Sequence, residues 1–248
     1  NGSAKEASVT GTITGVTTPD ITYKVKNSND EFVALPEGET APINAGEYTA
    51  SITLGGKTAS VTYEIKKATP QASDFNFSGP NDLTYDGNPK TATVKANDGI
   101  TGMGEVTVNN TVVQPSNVIN AGDYTVKIDV AAGDNYNAAS DLTGDENNAW
   151  KFEILKNTTA PTVTPSGEMT YTGQQIKPAV TVTVNEKELT KDTDYTVTYG
   201  ENINAGENAG SVTITAKGNY GFADKTEKFT IEPATSSISI TDAPGKTY

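Results

Sequence analysis

Val180-Thr181-Val182-Thr183-Val184 alternates an apolar side chain with a polar one at every step. A strand sends successive side chains to opposite faces, so Val180, Val182 and Val184 share one face and Thr181 and Thr183 the other. The same period of two continues outward from this stretch. Downstream come Tyr195, Val197 and Tyr199, then Val212, Ile214 and Ala216. Upstream come Ala92, Val94 and Ala96, then Tyr124, Val126, Ile128 and Val130. Further upstream come Ile21, Tyr23 and Val25, then Tyr48, Ala50, Ile52 and Leu54. No window of similar length carries the helical period. Thr and Val are abundant, and 23 Gly and 12 Pro supply turns. The chain is therefore expected to be all-β.

The strands sit in a threefold repetition. One landmark reads Thr84-Tyr85-Asp86-Gly87-Asn88-Pro89-Lys90 and Thr170-Tyr171-Thr172-Gly173-Gln174-Gln175-Ile176-Lys177. It begins without its Tyr at Asn1-Gly2-Ser3-Ala4-Lys5 and recurs in part at Lys246-Thr247-Tyr248. A second is Ile-Asn-Ala-Gly, at Ile43–Gly46, Ile119–Gly122 and Ile203–Gly206. A third is an apolar closing strand: Val61-Thr62-Tyr63-Glu64-Ile65, Trp150-Lys151-Phe152-Glu153-Ile154 and Lys228-Phe229-Thr230-Ile231. Asn-Tyr precedes that strand in two repeats, at Asn135-Tyr136 and Asn219-Tyr220, and is missing from the first. Aligning Asn1 with Asp86 and Thr172 suggests three repeat lengths bounded in the same phase. The expected domains are 1–67, a repeat without its first strand; 71–156; 160–233; and 234–248, the first strand of a following repeat. Roughly six to eight short strands per repeat point to sandwiches or Greek-key barrels. Short Pro-containing linkers such as Lys67-Ala68-Thr69-Pro70 favour an extended rod.

Composition removes several classes of function. The 248 residues contain no Cys and no His. Disulfides, thiolate metal sites and His-based acid–base or nucleophilic triads are therefore excluded. Arg is absent, so bidentate capture of phosphate or guanine has no vehicle. The formal net charge of −13 opposes nucleic acid and anionic membrane surfaces. No apolar run is long enough to span a bilayer, and this segment is expected neither to insert in a membrane nor to carry an export signal. The chain is read as no enzyme and as needing no cofactor.

The Tyr-Asp-Gly-Asn-Pro-Lys opening, the Asn-Ala-Gly-Asp-Tyr-Thr-Val middle and the Asn-Tyr…Phe-Glu-Ile close resemble the MBG/YDG-type Ig-like repeats of bacterial surface adhesins. The third repeat, with Tyr-Thr-Gly-Gln-Gln-Ile-Lys-Pro and Asp-Tyr-Thr-Val-Thr-Tyr, is similar to Ig-like repeats in secreted proteins of gut Firmicutes. The resemblance implies three tandem Ig-like β-sandwiches, with a β-grasp-like arrangement as the alternative. It also implies an extracellular place at a bacterial cell surface or cell wall. The function so implied is a spacer that holds neighbouring modules of the same polypeptide away from the cell. Two other functions are weighed beside it: a module binding host or dietary glycans or mucin, and a filament subunit that associates head to tail.

Each candidate site has a plainer reading. Trp150 is the only Trp, and with Tyr136 and Tyr220 it is the candidate for stacking on a sugar. Trp150, Phe152 and Ile154 alternate along one strand, however, which favours a core position. Asp134, Asp141, Asp145 and Glu146 fall in one long insertion and could hold Ca²⁺, but their spacing matches no EF-hand loop, so a solvated acidic loop is favoured. Asn44, Gly46, Asn120, Gly122, Asn204 and Gly206 read as turns that exploit positive φ. Ile238 and Ile240 are the candidate donor-strand residues of the filament.

Overall fold

The computed structural model describes residues 2–11, 16–109, 118–240 and 245. The described residues are all-β. The only helical element among them is a single 3₁₀ turn at Ala72–Asp74, and no helix is long and apolar enough to cross a membrane.

The first repeat contributes β1 (Thr22–Lys26), β2 (Phe32–Ala34), β3 (Gly46–Leu54) and β4 (Lys57–Ile65). They form one antiparallel sheet in the order β2-β1-β3-β4. Gly55 and Gly56, both at positive φ, make the turn between β3 and β4. The second repeat contributes β5 (Phe75–Ser78), β6 (Thr93–Ala96), β7 (Val106–Asn109), β8 (Gly122–Thr125), β9 (Lys127–Val130), β10 (Ala139–Thr143) and β11 (Lys151–Ile154). These pair as β5-β6, β10-β9-β7 and β8-β11. The third contributes β12 (Thr162–Ser166), β13 (Ala179–Val184), β14 (Lys187–Glu188), β15 (Tyr195–Tyr199), β16 (Gly206–Ala216) and β17 (Lys225–Ile231). Its two sheets are β12-β13-β14 and β15-β16-β17.

By compactness the chain divides into two units. The first comprises residues 1–82, 89–118 and 123–152; the second comprises 83–88, 119–122 and 153–248. In the first unit Trp150 and Ile128 are fully buried, packed with Phe75, Val94, Val126 and Val130. A smaller cluster there joins Tyr23, Ala41 and Ala50. In the second unit Val163 lies opposite Val182, and Tyr195 opposite Ala216 and Val197 opposite Ile214. Val182, Val212, Ile214 and Ile231 are fully buried. The alternation read from the sequence is what buries them: along β13, Val182 and Val184 are inside and Thr181 is outside. A β-sandwich-like arrangement results, two antiparallel sheets each contributing one apolar face.

Two stretches depart from this regularity. In the first repeat the apolar surface is incompletely covered, with Val9, Val16, Leu54 and Val61 exposed. Ser237-Ile238-Ser239-Ile240, expected as a strand, takes no strand conformation. Ile238 and Ile240 are 91% and 92% exposed. A lone strand has no ladder partner for its backbone groups, so hydration competes successfully. Tyr248 lies outside the described residues.

Candidate functional site

Trp150 is fully buried, and its ring meets Phe75 edge-on at 5.8 Å. Its indole N–H has no hydrogen-bond acceptor among the described residues. Tyr136 and Tyr220 are buried as well, at 6% and 4% exposure. None of the three rings offers a free face for a sugar to stack on.

Asp141 and Asp145 have separate employments. Asp141 stands 3.5 Å from the Lys127 ammonium, and its N–H donates to the Asp129 carboxylate. Asp145 accepts from the N–H groups of Asn147 and Asn148, closing its own loop. Asp134 and Glu146 are both exposed. Among the described residues no three acidic side chains converge on a point that a cation could occupy.

What the structure does bring together are two landmarks that are far apart in sequence. In the first unit, Asn135 reaches the turn at Asn44-Ala45. Its side-chain oxygen accepts from the Ala45 N–H at 2.8 Å, and its amide donates to the side-chain oxygen of Asn44 at 2.9 Å. The backbone beside it pairs in parallel: Ala68 donates to the Asn135 carbonyl at 2.9 Å, and Asn137 donates to the Ala68 carbonyl at 2.8 Å. Lys67 adds its ammonium on the Gly133 carbonyl at 2.7 Å. Tyr136, bridged to Ala68, lines a cavity of about 250 Å³ with Ile43, Ile65 and Ile100.

The second unit contains the same device. Asn219 accepts from the Ala121 N–H at 2.9 Å and donates to the side-chain oxygen of Asn120 at 3.0 Å. Asn157 donates to the Asn219 carbonyl at 3.0 Å, and Gly221 donates to the Asn157 carbonyl at 2.9 Å. Tyr220 then places its ring edge-on to Tyr85 at 5.5 Å, with Phe222 behind it. The Asn157 amide holds the Tyr85 carbonyl at 3.0 Å, and the Lys187 ammonium lies 5.8 Å from the Tyr85 ring centre. In both clasps the Asn of Asn-Tyr in one repeat grips the Asn-Ala of the Ile-Asn-Ala-Gly in the repeat before it. The first repeat, which follows no other in this sequence, has its Gly55-Gly56 turn where the others carry Asn-Tyr.

This assigns the Ile-Asn-Ala-Gly landmark a second purpose. A bend does occur there, and Gly46, Gly122 and Gly206 each begin a strand. The positive φ expected of this turn is carried by the glycines alone: Gly46, Gly122 and Gly206 lie at φ 158°, 147° and 159°, whereas Asn44, Asn120 and Asn204 have no positive φ. Two of these Asn side chains act as hydrogen-bonding partners of the clasp.

The tyrosine landmark is built alike in the second and third repeats. Tyr85 donates its N–H to the Leu155 carbonyl and Tyr171 donates to that of Glu232. Five residues beyond each Tyr, Lys90 donates to the Val118 carbonyl and Ile176 to that of Asn202. Lys90 thus corresponds to Ile176, not Lys177. It is buried like that isoleucine, with its ammonium 3.6 Å from Asp82.

Asn219→Ala would remove both side-chain bonds of the second clasp, at about 0.5–1.5 kcal/mol each. Hydrogen exchange at the Ala121 amide is expected to speed up roughly ten-fold or more, while the Val212 and Ile214 amides keep their protection. Equal acceleration at all three would mean that the residue supports the whole repeat rather than the junction.

Burial raises the hydroxyl pKa of both clasp tyrosines, helped by Asp74 at Tyr136 and by Tyr85 and Asp194 at Tyr220. Tyr48, Tyr63, Tyr124 and Tyr195 are shifted the same way, burial being the main cause. A folded chain that keeps these protons while the unfolded chain releases them loses stability as pH rises past the unfolded tyrosine value of about 10. With no His and no Cys, denaturant midpoints are expected to stay level between about pH 6 and 9 and then fall. A step near neutrality would contradict this.

Comparison with known proteins gave no matching family model, no matching curated protein and no matching solved structure.

Proposed function

We propose that this chain is a structural spacer segment of an extracellular bacterial surface protein, made of Ig-like repeats, that holds other modules of its polypeptide away from the cell. The observation that carries this reading is the recurrence of one clasp, with the same residue types in the same roles, at two successive junctions. A joint that fixes one repeat on the next serves a spacer directly. The surface agrees with such a role. Thr49 and Thr62, Thr53 and Thr58, and Thr213 and Thr226 pair across strands on solvent-facing positions. The aromatic residues expected to meet a glycan are inside.

The test is a glycan array probed with the folded chain, with mucins and soluble starches included and EDTA controls run alongside. A spacer leaves the array blank. Reproducible retention on one glycan class would replace this reading with that of a binding module.

A second reading has its own observation. Ile238 and Ile240 are almost fully exposed in the same chain that leaves Val9, Val16, Leu54 and Val61 exposed on the first repeat. Donation of the 234–248 segment from one copy to the first repeat of another would cover both surfaces and build a head-to-tail filament. Sedimentation at rising concentration decides: the filament requires a mass increase that disappears on deletion of 234–248.

A further inference from the structure

The third repeat carries the gripped half of a clasp, and among the described residues no Asn-Tyr reaches it. Its Ile203-Asn204-Ala205-Gly206 bend begins β16 as Gly46 begins β3 and Gly122 begins β8. Its tyrosine frame is the one seen around Tyr85: Glu232 donates to the Met169 carbonyl and Tyr171 donates to the Glu232 carbonyl, as Leu155 and Tyr85 do around Leu83. Three features differ, all in the direction of vacancy. Ala205 is exposed where Ala45 and Ala121 are half-covered. Tyr171 is 41% exposed where Tyr85, under the Tyr220 ring, is 9% exposed. Ala234 stands where Ala68 and Asn157 stand in the two clasps, three residues after the closing isoleucine in each case, and is exposed.

We infer that Asn204, Ala205, Ala234 and Tyr171 form a docking site for another β-repeat of the same type, entered by its Asn-Tyr dipeptide. This inference rests on the spacer reading and names its partner. The entering Asn would accept from the Ala205 N–H and donate to the Asn204 side-chain oxygen. Its carbonyl would accept from the Ala234 N–H. The Tyr would set its ring edge against Tyr171. The chemistry selects this occupant over others. A side-chain amide both accepts and donates at one point, as the site requires, whereas a carboxylate or an ammonium does only one of these. A second copy of this chain is a poor supplier, because both of its Asn-Tyr dipeptides, at Asn135 and Asn219, are already engaged within it.

The experiment extends the full chain by a second copy of residues 158–233 placed after Ala234, which supplies a fresh Asn-Tyr at the right distance. Hydrogen exchange is read at the Ala205 amide, with Ala121 as the internal standard. Exchange at Ala205 is expected to slow about ten-fold or more on extension. It should return to the rate of the parent chain when the Asn of the added Asn-Tyr is changed to Ala. Unchanged exchange at Ala205, with Ala121 protected in the same molecule, would overturn the docking site and leave the clasp itself standing. Slowing that survives the Asn→Ala change would overturn it too, since the protection would then come from some other contact. Loss of protection at both alanines would instead strike at the clasp on which the spacer reading depends.

Discussion

Trp150→Ala is expected to destabilise the first unit by about 3–5 kcal/mol, the usual range for emptying a large aromatic site in a packed core. The ring is fully buried between Phe75 and the Val126, Ile128 and Val130 face. Gly144 lies alongside, and a Cβ added there would collide with the Asn148 carbonyl and the Trp150 backbone. Trp150→Phe separates volume from polarity. It keeps an edge-on ring against Phe75 and removes an N–H that has no acceptor. A buried donor left unpaired costs about 1–3 kcal/mol, which offsets much of the lost ring volume. The phenylalanine variant should therefore lie within about 1 kcal/mol of the parent in urea denaturation. If it falls as far as the alanine variant, the indole N–H is satisfied after all. As the only Trp, Trp150 also reports on itself. Its emission should be that of a dry site and should not move when mucin or starch is added.

Asn202→Ala should be nearly as damaging, about 3–5 kcal/mol, and in the second unit. Asn202 is 3% exposed. Its amide donates to the carbonyls of Ile176 and Ser211, each at 3.0 Å, and its side-chain oxygen accepts from the Ser211 N–H at 2.8 Å. Its backbone is left-handed, with φ at 48°, a conformation that Asn tolerates and that costs other residues roughly 1–2 kcal/mol. Alanine would remove all three bonds, leaving the Ser211 carbonyl only its bond from the Gly200 N–H, and would add that strain. Asn202→Asp keeps the acceptor but aims a carboxylate at two carbonyls. Folding then favours the protonated acid, so the Asp variant should have this stability in full below the unfolded Asp value near 4 and lose it as pH rises through the raised folded value. Thermal melts at pH 3.5 and 7 would show the two variants changing order. An Asp variant as stable as the parent at pH 7 would mean that the donor half of this residue is dispensable.

The sandwich-like character was legible because it is written in near neighbours. Val182 against Thr181, or Ile214 against Thr213, can be sorted inside from outside by period alone. The closing strands followed for the same reason. Burial of Trp150 followed from its alternation with Phe152 and Ile154. The clasps were not legible in this way. Asn135 and Asn44 are 91 residues apart, and Asn219 and Asn120 are 99 apart. Periodicity carries no information about such partners. The available signal was co-occurrence: Asn-Tyr is missing from the one repeat that has no earlier repeat in this sequence to grip. Asn202 was hidden differently. Its counterparts are Pro42 and Val118, which offer the same carbonyl to Lys5 and Lys90. The side-chain work of Asn202 is therefore peculiar to one repeat and invisible to comparison among the three. Lys90 was obscured by its charge, since nothing in a local pattern marks a lysine as the stand-in for Ile176.

The clasp has a consequence for how such a chain can change its length over generations. Both junctions are cut from the same template, and the second and third repeats each carry both the lock and the key. A recombination event that duplicates the second or third repeat joins an Asn-Ala-Gly to an Asn-Tyr wherever in the series it places the copy. No interface has to be reinvented, and no mismatched intermediate has to be survived. The first repeat is the exception: without an Asn-Tyr it can be gripped but cannot grip. Copying it into the middle of the series would leave one joint unfastened, so duplication should draw on the second and third repeats and spare the first.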